Sequence, residues 1–260
     1  MDRDLVALDA YALSPRLLHG VETPDTATRL LERVLSAPIV PKAETWGEVP
    51  PAWPLVRVDA GDWPDQGGRE LAESVLVRLP VDRMAALVPQ ARRLGELEPA
   101  GVLLDMTVIS DAAPFGEAAW RPRRREELAE LRAAVGRPLW LDGVASPADA
   151  EIAAEAGLDG IVVRSIVGRH VGGPAACEVL PEILDTVAGM LGVYVGGPVR
   201  DGIDVFRYLA LGAEAVLPDP GSEARRLAAE LAYAMRLTGC ATLEDVGYET
   251  LFAPLWEEGG

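Results

Sequence analysis

The chain of 260 residues has few of the residues that mark several common classes of protein. Its two cysteines, Cys177 and Cys240, are too few for a disulfide framework. No apolar run approaches the roughly 18 residues of a membrane span, and the acidic N-terminus does not resemble a signal peptide. With 24 basic and 41 acidic residues, the net charge of −17 argues against a nucleic-acid or anionic-membrane surface. These absences predict a cytoplasmic protein without nucleic-acid or membrane partners.

What the chain does contain is a series of eight short apolar runs, separated by connections most of which are long enough for helices. Such runs predict strands that are buried on both faces of a parallel sheet. They are Ala37–Val40, Leu55–Val58, Ser74–Leu79, Gly101–Leu104, Pro138–Leu141, Ile161–Val163, Val193–Val195 and Ala215–Leu217. Helices are expected near 82–94, 126–135 and 222–237, with another beginning at Ser146-Pro147.

This count of strands favours an α/β fold, a single (β/α)8 TIM barrel over residues 36–246. A doubly wound open sheet is the alternative, although it usually has fewer strands. Residues 1–35 are expected to be a mostly helical N-terminal segment, and residues 247–260 a C-terminal tail. In a barrel of this type the functional residues lie at the C-terminal ends of the strands.

Four segments of the second half, RPLWLDGVASPADA, GLDGIVVRSIVGRHVGGPAACEVLPEIL, VYVGGPVRDGIDVFRYLALGAEAVL and LAAELAYAMRLTGCATLEDV, resemble the FMN-dependent α-hydroxy-acid oxidase and dehydrogenase family. Their order and spacing agree over residues 125–246, and the third and fourth strand units agree more weakly. The resemblance implies a (β/α)8 barrel that holds FMN and a 2-hydroxy acid. The chain is also about a quarter shorter than a typical member of that family.

The resemblance carries over only some of the family's functional residues. Arg169 matches the arginine that binds the substrate carboxylate, and Arg200 matches an arginine near the FMN phosphate. The family's flavin-holding lysine is replaced by Asp142, its catalytic histidine by Ile166 and its phosphate-binding Gly-Arg pair by Asp219-Pro220. A glutamine on the third strand and a threonine on the fourth correspond to Arg78 and Asp105, respectively.

These replacements lead to the expectation that FMN is disfavoured and that no cofactor is bound. Each lost charge-assisted hydrogen bond removes on the order of 1.5–3 kcal/mol, and isoleucine cannot accept a proton. A divalent metal remains open as an alternative, because Asp105, Asp142 and Asp219 could supply oxygen ligands. No spacing motif supports such a metal site.

Nearly every predicted strand is followed by a charged residue. These residues are Lys42, Asp59, Arg78, Asp105, Asp142, Arg164 and Asp219. A barrel brings its strand ends together, so these groups are expected to share one enclosed volume and to shift one another's pKa values. They form either a buried ion-pair network or a polar active site.

The main functional prediction is a repurposed, flavin-independent enzyme that acts on a small carboxylate- or phosphate-bearing metabolite by lyase, isomerase or aldolase chemistry. The expected acid and base groups are Asp142, Asp105 and His170. The anionic metabolite would be bound by Arg169, Arg164, Arg78 and Lys42, with Gly196, Gly197 and Arg200 available for a phosphate. An FMN-dependent 2-hydroxy-acid oxidoreductase and a non-catalytic ligand-binding barrel are the alternatives. A homo-oligomer is left open.

Overall fold

The core of the fold is a sheet of seven parallel strands in the order β12-β11-β8-β7-β6-β5-β4. The computed structural model describes residues 2–43, 55–62, 72–107, 122–165, 167–168 and 171–252. The seven strands are β4 (Val56–Asp59), β5 (Val75–Pro80), β6 (Gly101–Asp105), β7 (Leu139–Val144), β8 (Gly160–Val163), β11 (Gly192–Gly197) and β12 (Val216–Pro218). They confirm the predicted parallel α/β architecture.

The first predicted strand, residues 37–40, lies between the two edges of this sheet. Ile39 forms a parallel bridge with Val216 in β12, and Lys42 forms one with Arg57 in β4. The Val40 N–H donates to the Val216 carbonyl at 2.9 Å. One short segment therefore contacts both edge strands.

Helices follow most of the strands and pack against them. They are α2 (Met84–Glu96), α3 (Arg125–Val135), α4 (Pro147–Glu155), α5 (Ala176–Val187), α6 (Gly202–Ala210) and α7 (Ala224–Thr238). The predicted start of α4 is confirmed, because the Ser146 hydroxyl accepts from the Asp149 N–H at 3.2 Å and Pro147 occupies the first turn. The helices near 82–94, 126–135 and 222–237 are confirmed within two residues at each end.

The prediction of a mostly helical segment over residues 1–35 is wrong. Helix α1 covers only Arg3–Leu8, and it is followed by the short strand β1 (Ala12–Leu13). Residues 28–35 form an antiparallel hairpin of β2 (Thr28–Leu30) and β3 (Arg33–Leu35). Its two turn residues, Leu31 and Glu32, have positive φ angles of 48° and 61°, as a tight hairpin turn requires. Burial of leucines at both ends of the hairpin outweighs the helical propensity of this segment.

The C-terminal residues return to the N-terminal segment. After short 3-10 turns at Leu243–Asp245 and Tyr248–Thr250, strand β13 (Leu251–Phe252) pairs antiparallel with β1. A small hairpin of β9 (Val167–Gly168) and β10 (Val171–Gly172) follows β8. Both cysteines are free and buried. Within the described ranges, no helix has the length and apolar character needed to cross a bilayer.

Apolar residues fill both faces of the sheet. The larger cluster lies between the strands and the helices, and a smaller cluster, which we call the inner cluster, lies on the opposite face. The inner cluster comprises Leu30, Leu35, Val40, Leu55, Leu76, Ala100, Leu103, Trp140, Val162, Tyr194, Ala215 and Leu217. Trp140 and Tyr194 stack within it, with ring centroids 4.0 Å apart. Gly160 makes room for this stack, because a Cβ there would lie 2.8 Å from the Tyr194 ring.

Candidate active site at the strand ends

Charged residues follow the inner cluster along the same strands. Side chains two positions apart in a strand point to the same face. Each charged side chain stands two residues after an inner-cluster member, except Asp59, which stands two residues after the charged Arg57. We call this set the strand-end cluster: Lys42, Arg57, Asp59, Arg78, Asp105, Asp142, Arg164 and Asp219. It contains four cations and four carboxylates, so its formal charges balance. In the structure, these residues lie at or near the C-terminal ends of the strands.

The first half of the strand-end cluster is a continuous chain of ion pairs. Lys42 Nζ lies 2.8 Å from Asp59 Oδ2, and Arg78 Nη1 lies 3.2 Å from Asp59 Oδ1. Arg78 also pairs with Asp105, whose Oδ1 accepts from the Thr107 N–H at 2.8 Å. Burial opposes ionisation of Asp59, but the hydrogen bonds from Lys42 and Arg78 outweigh it and lower its pKa. These contacts hold two cations and two carboxylates in fixed positions.

The second half of the strand-end cluster is centred on Arg164. Its Nε lies 2.9 Å from Asp142 Oδ1, and its Nη1 lies 2.9 Å from Asp219 Oδ1. Burial alone would lower the pKa of Arg164, but the two carboxylates raise it above its ordinary value. Asp142 is only 2% exposed, and Arg164 is the cation that pairs with it in this buried place.

Gly196 provides the space that the Arg164 guanidinium occupies. A Cβ at position 196 would lie 2.4 Å from Arg164 Nη2. The sequence predicts that the Gly196-Gly197 pair allows a ligand to approach the backbone. In the structure, the space beside Gly196 is taken by side chains of the chain itself, Arg164 and Val162.

Arg57 is the member of the cluster that sequence reasoning missed. It is 3% exposed, and its Nε donates to the Val40 carbonyl at 3.1 Å while its Nη2 donates to the Pro218 carbonyl. Burial, with the nearby charge of Arg164, lowers its pKa to about 10. The signal was an arginine within the apolar run LVRV, where an unpaired charge is costly and needs a specific partner.

The predicted phosphate-binding residues lie at the end of β11. Gly197 has a φ of 135°, a conformation that favours glycine. Arg200 follows this turn, but its Nε and Nη2 donate to Asp204 at 2.9 and 2.8 Å. Its Nη1 donates to Asp9 at 2.8 Å. Asp204 and then Asp9 raise the pKa of Arg200, so this guanidinium is held by carboxylates of the chain itself.

Three residues that matter to the functional prediction lie outside the described residues. They are Ile166, Arg169 and His170, so their roles stay predictions. The three aspartates suggested as metal ligands are described, but no group of three or more His, Cys, Asp or Glu side chains able to hold a metal ion occurs in the described part of the chain. Asp105 is paired with Arg78, and Asp142 and Asp219 are both paired with Arg164.

Comparison with known proteins now identifies the family. Residues 61–218, more than half of the chain, match the model of the FMN-dependent dehydrogenase family. The chain belongs to this family. The match extends over strands β5 to β12, whose ends carry most of the strand-end cluster.

Individual relatives cover less of the chain. An L-lactate oxidase of Roseobacter sp. (strain GAI101) is 40% identical over 136 residues, which are 46% of this chain and 37% of the relative. A peroxisomal (S)-2-hydroxyacid oxidase of Arabidopsis thaliana is 37% identical over 131 residues, which are 45% of this chain and 36% of the relative. The matching region is therefore little more than a third of the length of these relatives.

Solved structures share the fold over almost the whole chain. A mandelate oxidase variant with a monooxide FMN adduct superposes with a TM-score of 0.75, covering 95% of this chain and 88% of the other at 23% identity. A structure of the same mandelate oxidase variant with (S)-mandelic acid gives a TM-score of 0.74 at 22% identity, covering 96% of this chain and 88% of the other. At these identities the likeness shows the fold.

Two predictions from the sequence are wrong. The main functional prediction, a flavin-independent lyase, isomerase or aldolase, is overturned by the family match and by relatives that are oxidases by name. The expectation of no cofactor is overturned by the same match and by the FMN adduct in a related fold. Both predictions gave a few replaced side chains more weight than the many residues of the strands and helices that define the family.

Proposed function

We propose that the strand ends form the site of an FMN-dependent oxidoreductase that acts on a small anionic 2-hydroxy acid. The observation that carries this proposal is the family match over residues 61–218. The matched region includes the strands with Arg78, Asp105, Asp142 and Arg164 at or near their C-terminal ends. The names of the relatives, lactate oxidase and 2-hydroxyacid oxidase, indicate the substrate class. FMN would supply the two-electron chemistry, and the protein would supply binding and orientation.

We also infer that the sheet closes as a (β/α)8 barrel with this site at its C-terminal end. The segment that contains Ile39 and Lys42 bridges β12 on one side and β4 on the other. Arg57 supports the same closure, because it donates to carbonyls of Val40 and Pro218 on the two sides of the junction. A closed barrel would enclose the strand-end cluster and exclude bulk water from it.

The described residues do not reproduce the FMN-binding set that the family resemblance implies. Asp142 stands where a lysine would contact the flavin ring, and its carboxylate is already bound by Arg164. Asp219 stands in place of a phosphate-binding glycine and adds a negative charge there. The glycine pair Gly196-Gly197 still allows an anion to approach the backbone closely. Among the described strand-end residues, the cations Arg78 and Arg164, which could meet FMN, are paired with carboxylates.

Several residues have proposed roles on the substrate side. Arg169 would bind the substrate carboxylate, with Arg78 and Lys42 adding positive charge at the same end of the sheet. His170 is the proposed proton acceptor, because Asp105 and Asp142 are held in ion pairs with Arg78 and Arg164. A cytoplasmic location and a homo-oligomeric assembly also stay predictions.

The test combines cofactor binding with turnover. FMN is titrated into the purified protein while flavin fluorescence is followed, and lactate, glycolate and mandelate are then supplied with a dye as electron acceptor. We expect saturable FMN binding and dye reduction that requires both FMN and a hydroxy acid. Arg169→Met should raise the KM for the hydroxy acid about tenfold or more. Arg125→Met, which removes an exposed arginine of α3, should leave KM unchanged.

Two results would contradict the proposal. The first is absence of FMN binding at any concentration that saturates a weak site, together with absence of dye reduction. The second is stoichiometric FMN binding with no hydroxy-acid oxidation, which would indicate a ligand-binding protein.

A further inference from the structure

Helix α1 places a buried carboxylate beside the phosphate end of the proposed site. Asp4 is 5% exposed, and its Oδ1 accepts from the Ala176 N–H at 2.7 Å, at the start of the twelve-residue helix α5. Its Oδ2 lies 3.9 Å from the position that a Cβ of Gly197 would occupy. One turn later, Leu8 is fully buried and anchors the same face of α1. An anionic group of the chain therefore stands next to the glycine turn at the end of β11.

The other end of α1 holds the arginine that is predicted to bind phosphate. Asp9, the residue that ends α1, accepts from Arg200 Nη1 at 2.8 Å and from Nη2 at 2.6 Å. It also accepts from Arg207 Nη1 at 3.2 Å. The side-chain hydrogen bonds from Arg200 hold the pKa of Asp9 below its ordinary value. The Arg200 guanidinium is therefore held between Asp9 of α1 and the buried Asp204.

The two donors that α1 occupies are of the kinds that bind phosphate groups, namely a backbone N–H at a helix start and an arginine fork. The contact at Asp4 is an unfavourable place for a charge. Burial raises the pKa of Asp4, the hydrogen bond from Ala176 offsets this only in part, and the neighbouring Asp2 and Asp219 raise the pKa further. A phosphate bears more charge and more acceptor oxygens than either carboxylate, so it could compete with a carboxylate for such a donor.

We propose that α1 is an autoinhibitory cover over the phosphate end of the strand-end site, with Asp4 and Asp9 occupying donors that a phosphate-bearing ligand must take over to bind. This inference rests on the proposed function, because the ligand that it concerns is a phosphate group at Gly196-Gly197 and Arg200. The family match does not imply this displacement of α1. Binding of the phosphate is coupled to release of the first residues of the chain.

The test uses inorganic phosphate as the probe and the full chain throughout. Phosphate affinity is measured by calorimetry in the unaltered protein, in Asp9→Ala and in Asp4→Ala/Asp9→Ala. The matched control is Glu155→Gln, which also removes one negative charge but lies on the exposed surface of α4 beside Arg125. We expect affinity to rise about tenfold or more in the double variant, with a smaller rise in Asp9→Ala and about no change in the control.

A second measurement follows the cover directly. In the unaltered protein, saturating phosphate should speed amide hydrogen exchange of residues 3–9 while the amides of β7 and β8 are unaffected. Equal phosphate affinity in Asp9→Ala and the unaltered protein would overturn the proposal, as would unchanged exchange of α1 at saturation. Asp9 has an exposed side chain, so Asp9→Ala decides the question even if the double variant does not fold.

The outcomes separate this proposal from the proposed function. Accelerated exchange of α1 with phosphate, but no FMN-dependent dye reduction, would contradict the function and leave the cover supported. Dye reduction with FMN, but phosphate affinity indifferent to Asp4 and Asp9, would support the function and overturn the cover.

Discussion

The two ends of the inner face of the sheet are built from opposite kinds of residue on the same strands. At one end, Trp140 and Tyr194 stack among aliphatic side chains and are closed off by Leu30 and Leu35 of the hairpin. At the other end, only two residues further along, the strands carry the ion pairs of the strand-end cluster. The same backbone thus supports an apolar closure at one end and an array of charges at the other.

This difference indicates that the apolar end contributes mainly to stability and that the charged end is the place for function. An apolar end gains stability from burial and packing, whereas ions buried at the other end lose hydration that their partners only partly restore. Charges placed there are costly for the fold, and α/β proteins keep such groups where ligands bind. Each prediction below substitutes a residue at the apolar end or at the charged end and gives the expected change in stability.

The largest effect is expected from Arg164→Met. It leaves Asp142, 2% exposed, without the arginine that holds it. Loss of one partner of a buried pair should lower the free energy of unfolding by about 3–5 kcal/mol, measured by urea denaturation at neutral pH. Arg125→Met, which removes two exposed ion pairs of α3, should cost less than about 1 kcal/mol. Equal effects of the two substitutions would show that the charged end is not a buried network.

The apolar end is tested by Leu35→Ala in the hairpin. Leu35 is 1% exposed, so its truncation should lower the free energy of unfolding by about 2–5 kcal/mol. The adjacent Val34 is 60% exposed, and Val34→Ala should change stability by about 0.5 kcal/mol or less. If both variants behaved alike in denaturant titrations, the hairpin would not close this end of the sheet.

A smaller loss of stability is expected from Gly196→Ala, because the absence of a side chain at Gly196 leaves space for Arg164. In Gly196→Ala the new methyl would meet the Arg164 guanidinium, which the two aspartates hold in place. We expect a loss of about 1–3 kcal/mol. Gly61→Ala has open space around the new methyl and should change stability by less than about 0.5 kcal/mol. A harmless Gly196→Ala would mean that Arg164 moves freely in the site.

The smallest effect concerns pH. Since ion pairs lower the pKa of Asp59 in the folded state, the carboxylate adds stability above the ordinary aspartate pKa of about 3.9, and this is lost as the pH falls through the folded value. The free energy of unfolding of the unaltered protein should therefore exceed that of Asp59→Asn by about 1 kcal/mol near pH 7. The gap should close in acid. A gap that widened on acidification would contradict the assigned ion pairs.

The sequence alone predicted the strands and the charges at their ends, because both follow from local patterns. An apolar run such as Ile161–Val163 is recognisable without its neighbours, and Arg164 must then follow at the strand end. The hairpin at residues 28–35 was missed because its fold depends on burial of Leu30 and Leu35 by distant strands. Arg57 was missed for a similar reason, since its acceptors belong to segments 17 and 161 residues away.

The most direct test of the functional end is to map FMN onto the protein by the backbone amide shifts of nuclear magnetic resonance. The account predicts that FMN perturbs amides at the strand ends, among them Gly196, Gly197 and Asp219, and leaves those of the hairpin at Leu30 and Leu35 unchanged. Shifts concentrated at the hairpin, or no shifts at saturating FMN, would contradict the assignment of function to the charged end.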